Sequence, residues 1–183
     1  MLLAAGMFLF ACNNKEDDKN GDDKGTATVS STGDKKPAME VMDISTGDLV
    51  KKSYMAFSNK DIDAMTADYA DDIMYRWSAG DSLAGKAAVV DFWKKRMSII
   101  DSLQFTEHIV APLQVNEQQS QYAPTGKWIL HWAMCHVKYK NGKKLDFWVH
   151  SVNHLNDAGK VDFIGMYYDR APVMEATRGL AVQ

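Results

Sequence analysis

Residues 127–169 read KWILHWAMCHVKYKNGKKLDFWVHSVNHLNDAGKVDFIGMYYD, and this stretch decides the fold. Three apolar, β-branched and aromatic runs follow one another, Lys127–Tyr139, Leu145–Leu155 and Lys160–Tyr168. Asn141-Gly142 separates the first two, and Asn156-Asp157-Ala158-Gly159 the last two. Asn-Gly between alternating apolar runs is a strong hairpin signal, because a type I′ turn needs positive φ at both central residues. A two-residue turn sets Tyr139 opposite Lys144, Val137 opposite Asp146 and Cys135 opposite Trp148. One face then carries Trp132, Met134, His136, Phe147, Val149, Ser151 and Asn153. The other carries His131, Ala133, Cys135, Val137, Trp148, His150, Val152 and His154. Neither face is mainly charged, so both are expected to be covered.

Upstream, the apolar period lengthens from two to between three and four. Val50, Tyr54 and Phe57 mark one helix after Thr46-Gly47-Asp48, and Ile62, Met65 and Tyr69 a second after Asn59-Lys60-Asp61. Ile73–Trp77 reads as a short strand. A third helix follows Gly85, with Val89, Phe92 or Trp93, and Met97 on its inner side. Leu103–Val110 reads as a further strand closed by Pro112. Helices first and antiparallel strands after them make an α+β architecture with helices on one face of a curved sheet.

The chain has 183 residues, 46% hydrophobic and 25% charged, which suits one globular domain plus a tail. A net charge of −3 supplies no basic field to attract nucleic acid. No phosphate-binding glycine loop, nucleophile elbow or convincing metal-ligand spacing occurs, so no metal or other cofactor is expected.

The start is apolar over residues 2–10, too short to span a bilayer, and resembles a signal-peptide core. Leu9-Phe10-Ala11-Cys12 resembles the lipobox of bacterial lipoproteins, in which the cysteine is acylated and becomes the first residue. Residues 13–36 are almost devoid of apolar side chains and suit a tether. The expected division is a signal peptide over 1–11, lipidated Cys12 and a linker over 12–40, a domain over 41–175 and a tail over 176–183. It implies a lipid-anchored protein of the cell envelope, expected in the outer membrane. Lys15-Glu16-Asp17-Asp18 is similar to signals that send some lipoproteins to the cell surface and reads equally as a solvated charge run, which leaves the leaflet open.

Asn59-Lys60-Asp61-Ile62-Asp63-Ala64, Tyr69-Ala70-Asp71-Asp72, Leu83-Ala84-Gly85-Lys86-Ala87-Ala88-Val89 and Asp157-Ala158-Gly159-Lys160-Val161 with Tyr167-Tyr168-Asp169 occur in the order found in the SnoaL-like, nuclear transport factor 2-like superfamily. The resemblance covers residues 45–172. It implies a cone: a bent, mostly antiparallel sheet wrapped around about three N-terminal helices, with a pocket between them and dimerisation through the sheet. The ketosteroid isomerases of that superfamily place a base where this chain has Trp77 and a second acid near Ser151. Their oxyanion tyrosine falls near Ser53 or Tyr54. Two of these three groups are missing, so isomerase chemistry of that kind is not expected.

By the same alignment Tyr54, Trp77, Trp132, Met134, His136, Phe147, Val149, Ser151, Met166 and Tyr168 line the pocket. Its expected occupant is a small, largely apolar molecule. His136 and Tyr54 are the candidate catalytic groups, His136 because imidazole titrates near neutrality. The rival functions are an isomerase, hydrolase or dehydratase acting through His136, and a dimeric interaction module using Trp148 and the histidine face. Asp71 and Asp72 suit turn roles better than catalytic ones. His131, His150 and His154 share the second face but are too widely spaced for one ion, and Cys135 reads as a small buried hydrophobe.

Overall fold

The computed structural model describes residues 36–181. The signal peptide, Cys12 and all but the end of the linker lie outside the described residues. No described helix is long and apolar enough to cross a membrane.

Four helices and seven strands follow one another as β1 (Met39–Val41), α1 (Asp48–Ser58), α2 (Ile62–Met65), β2 (Tyr69–Trp77), β3 (Ser82–Ala84), α3 (Lys86–Met97), β4 (Ile100–Val115), β5 (Gly126–Tyr139), β6 (Lys144–Leu155), β7 (Val161–Tyr167) and α4 (Arg170–Thr177). A 3-10 turn, Ile44–Gly47, precedes α1. The strands form one sheet in the order β1-β4-β5-β6-β7-β2-β3, antiparallel except for β2 against β7. Both edge strands have three residues, which leaves little unpaired backbone to recruit another chain.

α1 buries Val50, Tyr54 and Phe57 at the spacing of one helical face. Asp61 caps α2 by accepting from the Ala64 N–H at 2.9 Å, and Asp169 caps α4 by accepting from the Ala171 N–H at 3.0 Å. α4 takes in residues placed in the tail, and β1 takes in residues placed in the linker. β4 runs through Pro112 rather than stopping there. The Pro112 carbonyl accepts from the Met42 N–H at 3.0 Å, so its nitrogen faces the same side, away from β5, and no ladder bond to β5 is lost.

The β5–β6 hairpin corrects the expected register. Asn141 does not adopt positive φ; only Gly142 does, at 85°. The loop is therefore three residues, Lys140-Asn141-Gly142, closed by Tyr139 N–H to Lys143 O at 2.9 Å and Gly142 N–H to Tyr139 O at 2.8 Å. Asn141 is held by its own side chain, which donates to Ala176 O at 2.8 Å and accepts from the Lys143 N–H at 3.1 Å. Every pair consequently slips by one: Val137 faces Leu145, Cys135 faces Phe147, Met134 faces Trp148 and His131 faces Ser151. Since side chains alternate, the slip exchanges the two faces of β5 relative to β6. Trp132, Met134 and His136 join Trp148 and His150 on the outer face; His131, Ala133, Cys135 and Val137 join Phe147, Val149 and Ser151 on the helix-covered face.

Candidate functional site

The helices and the inner face of the sheet enclose a cavity of about 280 Å³. Its wall is aromatic because α1, β2 and α3 each contribute rings that meet there. Phe57 packs on Trp93 with centroids 4.7 Å apart, Phe92 on Trp93 at 5.0 Å, Trp77 on Phe92 at 5.1 Å and Tyr75 on Trp77 at 4.8 Å. Phe147 and Tyr168 complete the wall from β6 and the segment before α4, at 5.6 Å. α4 crosses the open end, lining the cavity with Val173, Met174 and Thr177. It is tied down by the Arg170–Asp81 pair at 2.5 Å and by Lys143 Nζ donating to Glu175 O at 3.1 Å.

Of the expected pocket residues, Tyr54, Trp77, Phe147, Val149, Met166 and Tyr168 line this cavity. Ser151 lies beneath it, 0% exposed, accepting from Asn153 Nδ2 at 3.1 Å. Trp132, Met134 and His136 do not line it, because the register slip turns them outward. Trp132 stacks on His150 at 4.5 Å. The His136 side chain is 41% exposed, with Nδ1 2.6 Å from Asp146 Oδ1 and Nε2 3.0 Å from Thr106 Oγ1. That geometry is a hydrogen-bonded surface cluster on the face of the sheet away from the cavity.

In their place the slip brings His131 inward, and a bulge in β4 brings His108 to meet it. Glu107 adopts φ 54°, so Glu107 and His108 together oppose one residue of β5 and the alternation of β4 changes phase. His108 Nδ1 then sits 3.0 Å from His131 Nε2. The Tyr54 ring packs on His131 at 4.3 Å. Burial, helped by the neighbouring His108 and His150, holds His131 down to about 3, so its imidazole is neutral. His131 Nδ1 is buried without a hydrogen-bond partner.

Burial raises the Tyr54 phenol far above its ordinary range, with Ser151 hydrogen bonding acting in the opposite sense. Its own hydrogen points to Met166 Sδ at 3.9 Å, a weak acceptor, so Tyr54 presents a neutral donor at the cavity floor. Burial likewise pushes the Cys135 thiol up to about 12, which removes it as a nucleophile at neutral pH. The only carboxylate on the cavity lining is Asp81, already paired with Arg170. Among the described residues no group of three or more His, Cys, Asp or Glu side chains could hold a metal ion.

The inward turn of His131 could have been found in the sequence. Lys138 is in phase with His136, and Lys144 is in phase with Asp146, so pairing like with like puts both polar sets on one face. The bulge at Glu107 has no comparable signal, since no glycine marks it.

Residues 50–163 match the family described as the SnoaL-like domain. No curated protein shows significant sequence similarity to the chain. Similar solved structures include a candidate polyketide cyclase from Xanthomonas campestris, 19% identical, covering 72% of this chain and 95% of that one with a TM-score of 0.58. A candidate isomerase from Bacillus subtilis is 19% identical over 75% of this chain and 96% of its own, with a TM-score of 0.59. TerC, co-crystallised with polyporic acid, is 15% identical over 72% and 96%, with a TM-score of 0.54.

Proposed function

We propose that this chain, which belongs to the SnoaL-like domain family, holds a small, largely apolar molecule in its cone cavity. The observation that carries the reading is a cavity of about 280 Å³ walled by aromatic rings, with the Tyr54 hydroxyl as a lone donor at its floor. A few oriented polar groups in an apolar concavity are the usual make-up of small-molecule sites. The presence of polyporic acid in crystals of TerC supports an aromatic occupant.

Binding is favoured over catalysis because, among the described residues, no unpaired carboxylate and no thiolate lines the cavity. His136 is outside the cone, Cys135 is protonated and Asp81 is engaged. The enzymatic reading keeps one observation of its own, the neutral His131 with its unpartnered Nδ1 beside Tyr54. Tyr54 would then donate to a carbonyl oxygen in an isomerase, hydrolase or dehydratase reaction. Tryptophan fluorescence during titration with small aromatic ligands tests the binding reading, because Trp77 and Trp93 line the cavity. Val149→Phe should fill the space and abolish the response while the protein stays folded; an unchanged response places the ligand elsewhere and removes the proposal.

We also propose that the domain stands on a lipid anchor at Cys12, a reading supported by the lipobox-like Leu9-Phe10-Ala11-Cys12. Cys12→Ser should release it from the membrane fraction, and retention there would refute the anchor. The outer sheet face, with Ile109, Trp148 and Tyr167 about half exposed, suits a second copy of the chain. Sedimentation of Trp148→Glu should show a monomer where the parent protein is a dimer.

A further inference from the structure

Three polar groups from separate parts of the chain line the one cavity, and none of their side chains has a hydrogen bond or ion pair among the described residues. Arg96, in the last turn of α3, lines the cavity and has neither an acidic partner nor a side-chain hydrogen bond among the described residues. Tyr139, from the end of β5, is 3% exposed, yet its hydroxyl has no hydrogen-bond partner among them either. The Tyr168 hydroxyl is in the same condition. Neither oxygen is sealed in as His131 Nδ1 is, and both residues line the cavity.

Arg96 acts on both phenols electrostatically, and all three residues line the same cavity. Burial nonetheless keeps each phenol above its ordinary range, so both remain protonated and able to donate at neutral pH. The lining holds two arginines, Arg96 and Arg170, against the single carboxylate of Asp81, and Arg170 is the one that Asp81 neutralises. One positive charge is therefore left over, with two donors on the same lining of an apolar cavity.

We propose that Arg96, Tyr139 and Tyr168 form a carboxylate-binding site, so that the molecule held in the cone is an apolar acid. Its hydrocarbon or aromatic body lies against Trp77, Trp93 and Phe147, and its carboxylate meets the guanidinium and the two phenolic hydroxyls. A guanidinium takes a carboxylate through two parallel N–H donors, and a charge-assisted pair beside low-dielectric walls is stronger than the same pair in water. The inference rests on the cavity reading above and adds the chemical class of the ligand.

The test uses the full chain and two probes of one shape, 1-naphthaleneacetate and the neutral 1-naphthaleneacetamide. Affinity is followed by calorimetry, and location by the indole N–H signals of Trp77 and Trp93 in nitrogen-15 spectra. The acetate should bind at least tenfold more tightly than the amide. Arg96→Met should bring the two within about twofold by weakening the acetate alone. Tyr139→Phe and Tyr168→Phe should each weaken the acetate a few-fold and leave the amide unchanged. If both probes shift the cavity indoles with equal affinity, the cavity reading stands and the carboxylate site is overturned. If neither probe moves those indoles, both are overturned. Preference for the acetate that survives Arg96→Met also overturns the proposal, since the charge would then be met elsewhere.

Discussion

On the inner face of β5, His131 and Ala133 are fully buried, and Cys135 and Val137 nearly so. On the outer face, one residue along in each case, Trp132, Met134 and His136 are half-buried and meet Trp148, His150 and Asp146. The histidines show what the difference means. His131, taken out of water, is neutral and lacks a partner for Nδ1; His136, left in water, has an acid on one side and a hydroxyl on the other. The side chains are chemically the same, and burial, with His108 and His150 beside it, sets His131 apart.

The largest break in this contrast is a change of apolar volume on the two faces. Ile129→Ala, at a position 0% exposed, should cost about 3 kcal/mol of stability, the usual range for a truncated core isoleucine. Leu130→Ala, one residue along on the half-buried outer face, should cost about 1 kcal/mol. Urea unfolding of the two variants measures the pair, and equal costs would mean that the faces are not distinguished as described.

Acid stability gives the next effect. His131 is held at about 3 in the folded protein against an ordinary 6.5. Between those values the unfolded chain takes up a proton that the native one does not, so stability falls as pH drops below 6.5. The slope approaches about 1.4 kcal/mol per pH unit from this one group. His131→Phe should flatten that part of the profile, and an unchanged slope would mean that His131 is not held neutral.

Gly142→Ala tests what sets the faces. At φ 85° an alanine is strained, and the loss should be about 1 kcal/mol. Deleting Lys140 is the sharper version. Asn141-Gly142 would then join Tyr139 to Lys143 as a two-residue loop with the native pairing kept, so Trp132 and His136 should stay outward and the chain should still fold cooperatively. Smallest of all is Asp146→Asn, which removes an ion pair whose members are 41% and 70% exposed. It should change stability by less than about 1 kcal/mol, as exposed pairs do.

Much of the fold was readable because each element carries its own local signal. Val50, Tyr54 and Phe57 repeat at helical spacing, and the three runs between residues 127 and 168 coincide with β5, β6 and β7 within a residue or so. The cavity was half readable. Residues on β2, β6 and β7 were placed inside as found, whereas on β5 the outward set Trp132, Met134 and His136 was placed there, because the loop between β5 and β6 holds one residue more than Asn-Gly alone suggests. The missing information is long-range: Asn141 is drawn out of the positive-φ region by a bond to Ala176, on a helix that the sequence pattern did not mark.

The sequence by itself determined the order of α1, α2, β2, α3 and β4 to β7, the family and the aromatic stock from which the cavity wall is built. These depend on periodicity and residue type, which are local properties. Only the tertiary structure decided which of two adjacent histidine phases is buried, that His108 crosses a bulge to meet His131, and that Arg96, Tyr139 and Tyr168 line one cavity. A period of two has two equivalent phases, and choosing between them takes a contact made far along the chain.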